Sequence, residues 1–499
     1  MKRIFLHLNK NILIGFLLFF AWIGLGVALA DNYEQNKYIN SPFGINNPYN
    51  EEGIGIDVKR YLDGLGIHWV KMSLHRAKIE RSKGQYQWAS TDEEVNTIFN
   101  NGKTNIIGVI NPFTKWDTKG GRVSKRNTKY YVGDWEAYQQ YVTALIKRYG
   151  NKIKYWMVFN EPEAEYQHRL EEYVKLLKIT YTLIKSLDPQ AKIILGAFTI
   201  NPQYTLFREK LLTELGKYKK EEGFFDIADF HTYFFAGMGY RQFNQRGSII
   251  TYDTYIELFK KHGFGKKPIW ISEGGTYTGE DPKIRMSSFH GLPYQSEKDQ
   301  AIFLVKRFFY AASKGIEKIF WSSIREHENF FGTIHNQFNL VGLVYNGIPK
   351  KGACDGQLPC PDPGDGVKKL SYYTYKFLIE KFEGSDWDTL KMFTDSHKDL
   401  YLFRVIKRGT QVYIMWWDKA QNDLEKQKYV TLSVSPTGNK YKALLTEAVP
   451  NAASGANLNE KDYPNFFTIT QLDIKDKMLK IVLTDRPVYI EGVNIDKIQ

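Results

Sequence analysis

The amino-acid sequence predicts an α/β fold, a (β/α)8 or TIM barrel, followed by a C-terminal all-β domain of sandwich-like form. The 499 residues are 43% hydrophobic and 25% charged, which is enough to bury a large core. From about residue 40, short apolar runs rich in β-branched and aromatic residues alternate with longer amphipathic stretches. From about residue 385, this alternation gives way to short strand-like segments separated by Gly, Asn, Asp and Pro.

The N-terminus predicts an export segment. The basic start MKRIFLHLNK precedes an apolar run over 12–29 and the tripeptide Ala28-Leu29-Ala30, which is the small-x-small pattern expected at a signal peptidase site. We therefore expect a signal peptide over 1–30 and an exported protein that is periplasmic, secreted or attached to the cell surface. The alternative is an uncleaved membrane anchor, because the apolar run reaches the roughly 18 residues that span a bilayer.

Eight apolar runs predict the eight strands of a barrel over 31–384. The runs lie at 42–45, 69–74, 105–110, 155–159, 193–197, 227–231, 268–272 and 316–321. Helix-like patterns between them include 134–149, 168–187, 252–262 and 297–314. This length fits a (β/α)8 barrel with insertions. A doubly wound open sheet is the alternative, but it usually carries a Gly-rich phosphate turn after its first strand, and Gly44-Ile45-Asn46-Asn47 is not one.

The only two cysteines, Cys354 and Cys360, lie in a loop rich in Gly, Pro and Asp that we interpret as an insertion over 351–368. In an oxidising compartment we expect them to form one local disulfide. A zinc site would need further Cys or His ligands at finger-like spacing, and the sequence has none nearby. The disulfide would therefore hold the insertion together, not the barrel.

The segment 385–499 predicts an accessory β domain. Its strand-like segments lie at 399–406, 410–417, 427–434, 464–471 and 478–491. No catalytic motif occurs in it, so we expect it to pack beside the barrel.

The formal net charge of +13 does not indicate nucleic-acid binding. Three of the positive charges lie in the predicted export segment, and no dense Lys/Arg run or nucleic-acid motif follows it. We expect a mixed-charge surface, and no membrane contact apart from the possible N-terminal anchor.

Two glutamates follow two of the predicted strands. Asn160-Glu161-Pro162 comes after the fourth run, and Glu273 comes after the seventh. Residues just beyond barrel strands line the mouth where chemistry occurs. Two carboxylates that face each other across a sugar can protonate the leaving oxygen and attack the anomeric carbon. The structural alternatives are a first-turn helix glutamate beside Pro162 and a solvated loop acid at Glu273.

The region from about 40 to 384 resembles the retaining glycoside hydrolases of clan A, and is similar to families 39 and 5. These enzymes place an Asn-Glu pair after strand four and a nucleophilic Glu after strand seven. The resemblance implies that Glu161 is the general acid/base, that Glu273 is the nucleophile, and that Asn160 bonds the sugar 2-hydroxyl. It also implies a carbohydrate substrate and no metal or organic cofactor.

Further site residues are expected around the two glutamates. His231 and Tyr233 share one face of the sixth run by period two. The resemblance implies that Tyr233 bonds and orients Glu273, and His231 is a candidate sugar contact or proton-network member. Trp321 after the eighth run and Trp116 in the third loop are candidate stacking surfaces for a sugar, although an aromatic residue is equally compatible with core packing. The aromatic content of 15% exceeds what a core needs.

One position departs from the family pattern. The second run, Trp69-Val70-Lys71, and the segment that follows it resemble family 39, but those enzymes usually have Arg where Lys71 stands and often Trp where Arg76 stands. That Arg contacts the nucleophile through a rigid fork of donors, which Lys does not have. We expect that either Lys71 supplies the positive charge or Arg76 reaches into the site.

Two rival functions use the same features. A non-catalytic carbohydrate-binding protein would keep the barrel and its aromatic mouth without turnover. A transglycosylase would use the same two glutamates and pass the sugar to another sugar instead of to water.

Overall fold

The computed structural model describes residues 39–46, 58–117, 132–233, 239–245, 248–279, 295–327, 337–348, 363–393, 399–418, 427–437 and 442–498. The predicted export segment lies outside these residues, and so do Cys354 and Cys360. Export and the disulfide therefore stay predictions. Across the described ranges, no helix combines the length and the hydropathy that a membrane span requires.

Eight parallel strands form the barrel. They are β1 (Phe43–Asn46), β2 (Trp69–His75), β3 (Asn105–Asn111), β4 (Tyr155–Val158), β5 (Lys192–Leu195), β6 (Ala228–Thr232), β7 (Ile269–Gly274) and β8 (Lys318–Ser322). Neighbouring strands pair in chain order, and β8 pairs with β1. The bridges between Ile194 and Ile227 and between Phe198 and Phe230 close the ring between β5 and β6. The predicted (β/α)8 barrel is confirmed.

One longer helix follows each strand. These are α1 (Val58–Leu65), α2 (Ala89–Phe99), α3 (Trp135–Tyr149), α4 (Leu170–Leu187), α5 (Thr205–Leu215), α6 (Tyr252–Lys261), α7 (Glu297–Ser313) and α8 (Leu370–Phe382). Thr251 and Ser296 form capping boxes that satisfy the free backbone N–H groups at the starts of α6 and α7. The four helix-like patterns found in the sequence match α3, α4, α6 and α7 to within two residues.

Inward-facing apolar side chains fill the barrel interior. The rings of Trp69 on β2 and Trp270 on β7 meet edge to face, with centroids 5.1 Å apart. The other buried members of this cluster are Ile107, Val109, Met157, Ile194, Ala197, Ile227 and Phe320. The interior is thus a packed core, and the polar residues at the carboxyl ends of the strands lie above it.

The C-terminal domain contains two antiparallel sheets. Their strands are β9 (Ser385–Met392), β10 (Leu400–Lys407), β11 (Thr410–Trp417), β12 (Lys428–Pro436), β13 (Lys442–Glu447), β14 (Ile469–Asp473), β15 (Met478–Leu483), β16 (Val488–Glu491) and β17 (Val493–Ile498). The strand orders are β9-β10-β11-β16-β13-β14 and β15-β12-β17. Apolar residues of both sheets share one core, so the predicted sandwich is confirmed. The sequence pattern missed β9, β13 and β17, and it merged β15 with β16.

The β domain packs on the outside of the barrel at α7 and α8. The rings of Phe309 on α7 and Phe403 on β10 have centroids 6.1 Å apart. The carboxylate of Glu297, at the start of α7, accepts hydrogen bonds from the backbone N–H groups of Leu370 at 2.7 Å and Gly455 at 2.8 Å. One side chain therefore joins two barrel helices to a loop of the β domain.

Candidate active site

Polar side chains from the carboxyl ends of the barrel strands converge above the core. Lys71 lies on β2, Glu161 follows β4, His231 lies on β6, Glu273 lies on β7, and Ser322 ends β8. Residues far apart in the chain therefore become neighbours through the closure of the barrel.

Glu161 lies in the tight turn that ends β4. Phe159 and Glu161 both have left-handed backbone conformations, with φ of 65° and 49°. This region costs a non-glycine residue roughly 1–2 kcal/mol. Pro162 then begins a short helix, a position for which its fixed φ is suited. The carboxylate of Glu161 makes no capping bond to that helix, and its Oε1 lies 2.6 Å from Nδ1 of His231.

A β-bulge turns Glu273 towards the barrel axis. On β6, Asp229 and His231 face inward, and they pair with Trp270 and Glu273 of β7. Two residues of β6 thus span the same distance as three residues of β7. Without the extra residue, the period of two would put Glu273 on the outer face of the barrel.

Lys71 makes three contacts with its ammonium group. Its Nζ lies 2.9 Å from Oδ1 of Asn160, 3.1 Å from Nε2 of His231 and 3.4 Å from Oε2 of Glu273. An ammonium carries three donors, so these contacts use all of them. Lys71 is buried and supplies a positive charge to the cluster.

The contacts of His231 assign its protonation. Because an ammonium group can only donate, Nε2 of His231 must accept from Lys71. The imidazole is therefore neutral and carries its proton on Nδ1, which donates to Oε1 of Glu161 at 2.6 Å. His231 links the cation of Lys71 to the carboxylate of Glu161.

Tyr233 contacts the second carboxylate. Its hydroxyl lies 2.7 Å from Oε1 of Glu273 and 2.6 Å from Oγ of Ser322. A hydroxyl has one proton, so when Tyr233 donates to the carboxylate, Ser322 donates to Tyr233. The amide of Asn46, at the end of β1, donates to Oγ of Ser322 at 3.3 Å. A row of donors thus ends on Glu273.

These contacts hold Glu273 in its ionised form. Burial by itself raises the pKa of this carboxyl, but the electrostatic effect of the His231–Lys71 pair and the hydrogen bonds from Tyr233 and Lys71 outweigh it and hold the pKa below its usual value. Because His231 is neutral, the formal positive charge of this pair is on the ammonium group of Lys71. Burial and then the charge of Glu273 raise the pKa of Tyr233 well above its ordinary value, so its phenol stays protonated and donates.

The two carboxylates face each other at short range. One oxygen of Glu161, one ring nitrogen of His231 and one oxygen of Glu273 all lie within 4.8 Å of one another. Among the described residues, this is the one group with the spacing of a metal site. The ammonium of Lys71, at 3.4 Å from Oε2 of Glu273, would repel a metal cation there, so these residues fit a metal ion poorly.

Two further buried carboxyls support the backbone beside the glutamates. Asp229 accepts a hydrogen bond from the N–H of Ser272, the residue before Glu273, at 3.0 Å, and burial raises its pKa to about 6. Glu163 accepts from the N–H of Thr199 at 2.5 Å, and burial raises its pKa to about 7. The sequence analysis did not assign these roles.

Arg76 and Trp116 lie together away from this cluster. Arg76 is fully buried and donates to Glu80 and Asp117, at 2.6 Å each, and its guanidinium lies 5.0 Å from the ring centroid of Trp116. The indole N–H of Trp116 donates to the backbone carbonyl of Glu80 at 2.9 Å. Two cations were expected at the site, and Lys71 is the one that lies beside Glu273.

Trp321 and Asn160 differ in what they can offer a sugar. Trp321 is only 2% exposed, and its indole N–H donates to the carbonyl of Val341 at 2.9 Å. Asn160 is partly exposed, and its Oδ1 accepts from Lys71. No group within the described ranges accepts from the amide nitrogen of Asn160, so that nitrogen can donate to a ligand.

Ser322 and Asn46 are site residues that the sequence analysis missed. They are paired neighbours on β8 and β1, and each ends its strand. The rule that singled out the two glutamates, a polar residue at the end of a barrel strand, applies to both of them.

The fold and the paired carboxylates define a (β/α)8 barrel with a C-terminal β sandwich and acids at the ends of strands four and seven. No family model and no curated protein sequence matches the chain. Its fold does match solved structures. A family 39 glycoside hydrolase from Bacteroides cellulosilyticus WH2 has a TM-score of 0.62 at 15% identity, covering 90% of this chain and 80% of the other.

Two other solved enzymes show the same likeness. CelM2, a bifunctional glucanase-xylanase from a metagenome library, has a TM-score of 0.54 at 10% identity and covers 91% of this chain and 95% of its own. The GH51 arabinofuranosidase from Xanthomonas axonopodis pv. citri has a TM-score of 0.51 at 12% identity and covers 92% of this chain and 96% of its own. The predicted resemblance to clan A glycoside hydrolases is confirmed at the level of the fold.

Proposed function

We propose that this protein is a retaining glycoside hydrolase that cleaves O-glycosidic bonds of a poly- or oligosaccharide by double displacement. The observation that carries the proposal is the approach of the Glu161 and Glu273 carboxylates, which have oxygens within 4.8 Å of each other. When the two carboxyl groups are about 5–5.5 Å apart, one of them attacks the sugar directly and the configuration is retained. When they are about 6.5–9.5 Å apart, a water molecule fits between them and attacks instead, and the configuration is inverted.

In the first step, Glu273 attacks the anomeric carbon and Glu161 gives its proton to the leaving oxygen. The bond from the anomeric carbon to that oxygen breaks as the ester bond to Glu273 forms. The low pKa of Glu273 keeps it ionised for this attack. Lys71 and Tyr233 hold its two oxygens at 3.4 and 2.7 Å.

In the second step, Glu161 acts as a base. It takes a proton from water, the water oxygen attacks the anomeric carbon, and Glu273 leaves as a carboxylate. His231, which donates to Glu161 at 2.6 Å, stabilises the negative charge that Glu161 carries between the two steps. Two inversions at one carbon retain the configuration.

The substrate is proposed to be a carbohydrate bound above the two glutamates. The amide nitrogen of Asn160 is placed to donate to the 2-hydroxyl, because its oxygen is held by Lys71. Structural neighbours described as a glucanase-xylanase and an arabinofuranosidase make glucans, xylans and arabinosides the first substrates to test.

The decisive experiment is a screen of aryl glycosides and polysaccharides with the variants Glu161→Gln and Glu273→Gln. Each variant should lose nearly all turnover of any substrate that the unchanged protein cleaves. Glu257→Gln, at an exposed position on α6 that pairs with Lys260 on the surface, is the matched control and should keep full activity. Full activity in either site variant would refute the assignment of that glutamate.

Two further measurements separate the mechanism from its rivals. A 2-fluoro glycoside with a good leaving group should label Glu273, and proton NMR should show the product first in the anomeric form of the substrate. An initial product of the opposite configuration would refute the covalent route. Binding without any product would support the non-catalytic alternative, and larger glycosides as the main product would support transglycosylation.

A further inference from the structure

A cleft of about 350 Å³ opens between the carboxyl ends of β2, β3 and β4. Its floor and walls include His75, Asn111, Phe113 and Phe159, with Lys115 and Glu165 at its edge. None of these residues takes part in the hydrogen bonds that join Lys71, Glu161, His231 and Glu273. The size lies within the roughly 300–1,000 Å³ of small-molecule sites.

The strand register places this cleft beside the catalytic glutamates. His75 ends β2 on the same inward face as Lys71, about 13 Å further along the strand at a rise of about 3.3 Å per residue. His75 pairs with Asn111 at the end of β3. Phe159 lies two residues before Glu161 in the tight turn after β4. A chain molecule that extends from Glu161 towards the ends of β2 and β3 would therefore pass over this cleft.

His75 is a polar side chain that lines the cleft. It is partly buried, and it forms no hydrogen bond or ion pair with any part of the chain that the structure describes. Its ring nitrogens are therefore available to a ligand in the cleft. Burial, and to a lesser extent the charge of Lys78, lowers the pKa of His75 to about 4. At neutral pH its ring offers one donor and one acceptor, which suits a hydroxyl group.

The other walls combine apolar rings with an amide. The rings of Phe113 and Phe159 are 5.3 Å apart between centroids and meet edge to face. Asn111 lines the cleft, and its Oδ1 accepts from the backbone N–H of Phe113 at 3.3 Å. Lys115 and Glu165 bring one charge of each sign to the lining, and Glu165 also pairs with Arg169 at 2.7 Å, so the lining residues carry no formal net charge.

We propose that this cleft is a sugar-binding subsite that takes an uncharged sugar unit of the same oligosaccharide that is cleaved between Glu161 and Glu273. The inference rests on the proposed function and adds to it a preference for chains over single glycosides. The apolar faces of the sugar would lie against Phe113 and Phe159, and its hydroxyls would bond His75 and Asn111.

The test compares long and short ligands in the full-length protein. The variants are His75→Ala and Asn111→Ala, and the control is His262→Ala at the end of α6, where the histidine contacts Glu209 outside the barrel mouth. For the glycoside series that the protein cleaves, kcat/KM is measured with the aryl monoglycoside and with the tetrasaccharide. We expect each site variant to lose about fivefold on the tetrasaccharide and less than twofold on the monoglycoside, because one lost hydrogen bond to a neutral group costs about 1 kcal/mol. Equal losses on both substrates, or none, would overturn the subsite.

A binding measurement keeps the two proposals apart. Saturation-transfer NMR with the neutral tetrasaccharides of glucose, xylose, arabinose, galactose and mannose uses the Glu161→Gln protein with and without His75→Ala. Binding that His75→Ala weakens supports the subsite even if no substrate is hydrolysed, an outcome that would refute only the proposed hydrolase. Absence of binding to all five tetrasaccharides, or binding that His75→Ala leaves unchanged, would overturn the subsite whatever the activity.

Discussion

Replacing Lys71 by Met removes the positive charge that lies beside Glu273, while it keeps a side chain of similar length. The ammonium lies 3.4 Å from Oε2 of that carboxylate and is almost fully buried, so solvent screens the pair weakly. An unpaired Glu273 would be harder to ionise, because burial opposes the charged form.

The structure sets the size of the effect. Two unit charges 3.4 Å apart interact by about 5 kcal/mol at an effective dielectric constant of about 20. Part of this is offset by solvation, and an opposite charge at such range typically lowers a carboxyl pKa by about 1–3 units. Lys71→Met should therefore raise the pKa of Glu273 by about 1–3 units. Lys71→Met also leaves acceptors on Asn160, His231 and Glu273 without their donor. We expect this to cost about 1–3 kcal/mol, which corresponds to about a tenfold to hundredfold loss in kcat/KM at neutral pH.

The assay is the pH dependence of kcat/KM on a cleaved aryl glycoside, with circular dichroism at each pH to confirm folding. The acidic limb should rise by about 1–3 pH units in Lys71→Met. It should stay in place in Lys71→Arg, which keeps the charge, and in Lys192→Met, which removes an exposed lysine at the start of β5. An acidic limb that does not move in a folded Lys71→Met protein would refute the assignment of the charge to Lys71.

Three other substitutions test the surrounding structure. Tyr233→Phe removes the 2.7 Å bond to Glu273 and should lower kcat/KM by about tenfold to hundredfold while raising the acidic limb; an unchanged profile would contradict the role of this hydroxyl. Asp229→Asn should stabilise the protein at pH 8 but not at pH 4 in urea unfolding. Burial raises the pKa of Asp229 from 3.8 to about 6, so the protonated carboxyl contributes its full stability to the fold below about pH 4, and this stability is lost as the pH rises through 6. The loss reaches about 3 kcal/mol at high pH, and Asn avoids it because Asn does not ionise. Equal effects of Asp229→Asn at both pH values would contradict this. Arg76→Met should cost about 3–5 kcal/mol of unfolding free energy by leaving Glu80 and Asp117 unpaired, with KM unchanged in the folded fraction; a raised KM without loss of stability would place Arg76 at the substrate.

The sequence located the two glutamates but not the reason that both face inward. A polar residue after an apolar run is visible in the sequence, and that rule led to Glu161 and Glu273. The bulge between Trp270 and Glu273 leaves no such signal in the sequence. A strand that is buried on both faces is apolar throughout, so its sequence does not show which alternate residues point into the barrel. Only the pairing with β6 shows that one extra residue brings Glu273 to the axis.

The same ambiguity explains why Trp321 and Arg76, which the sequence suggested for the site, do not face it. On β8, Phe320 packs inside the barrel and Ser322 reaches Tyr233, so Trp321 between them points outward and is buried against the helices. Arg76 likewise follows β2 on the parity opposite to Lys71, and turns into a buried ion-pair network. A strand's inward frame depends on its neighbours, and a single sequence does not contain that information.

The contact between the β sandwich and the barrel affects how this protein can be changed. Glu297 ties the starts of α7 and α8 to a loop of the sandwich, and Phe309 and Phe403 join the two cores. A barrel cut after α8 would expose this aromatic surface and leave a buried carboxylate short of its donors. Exchange of the sandwich for another module would therefore require a redesign of the outer wall of the barrel.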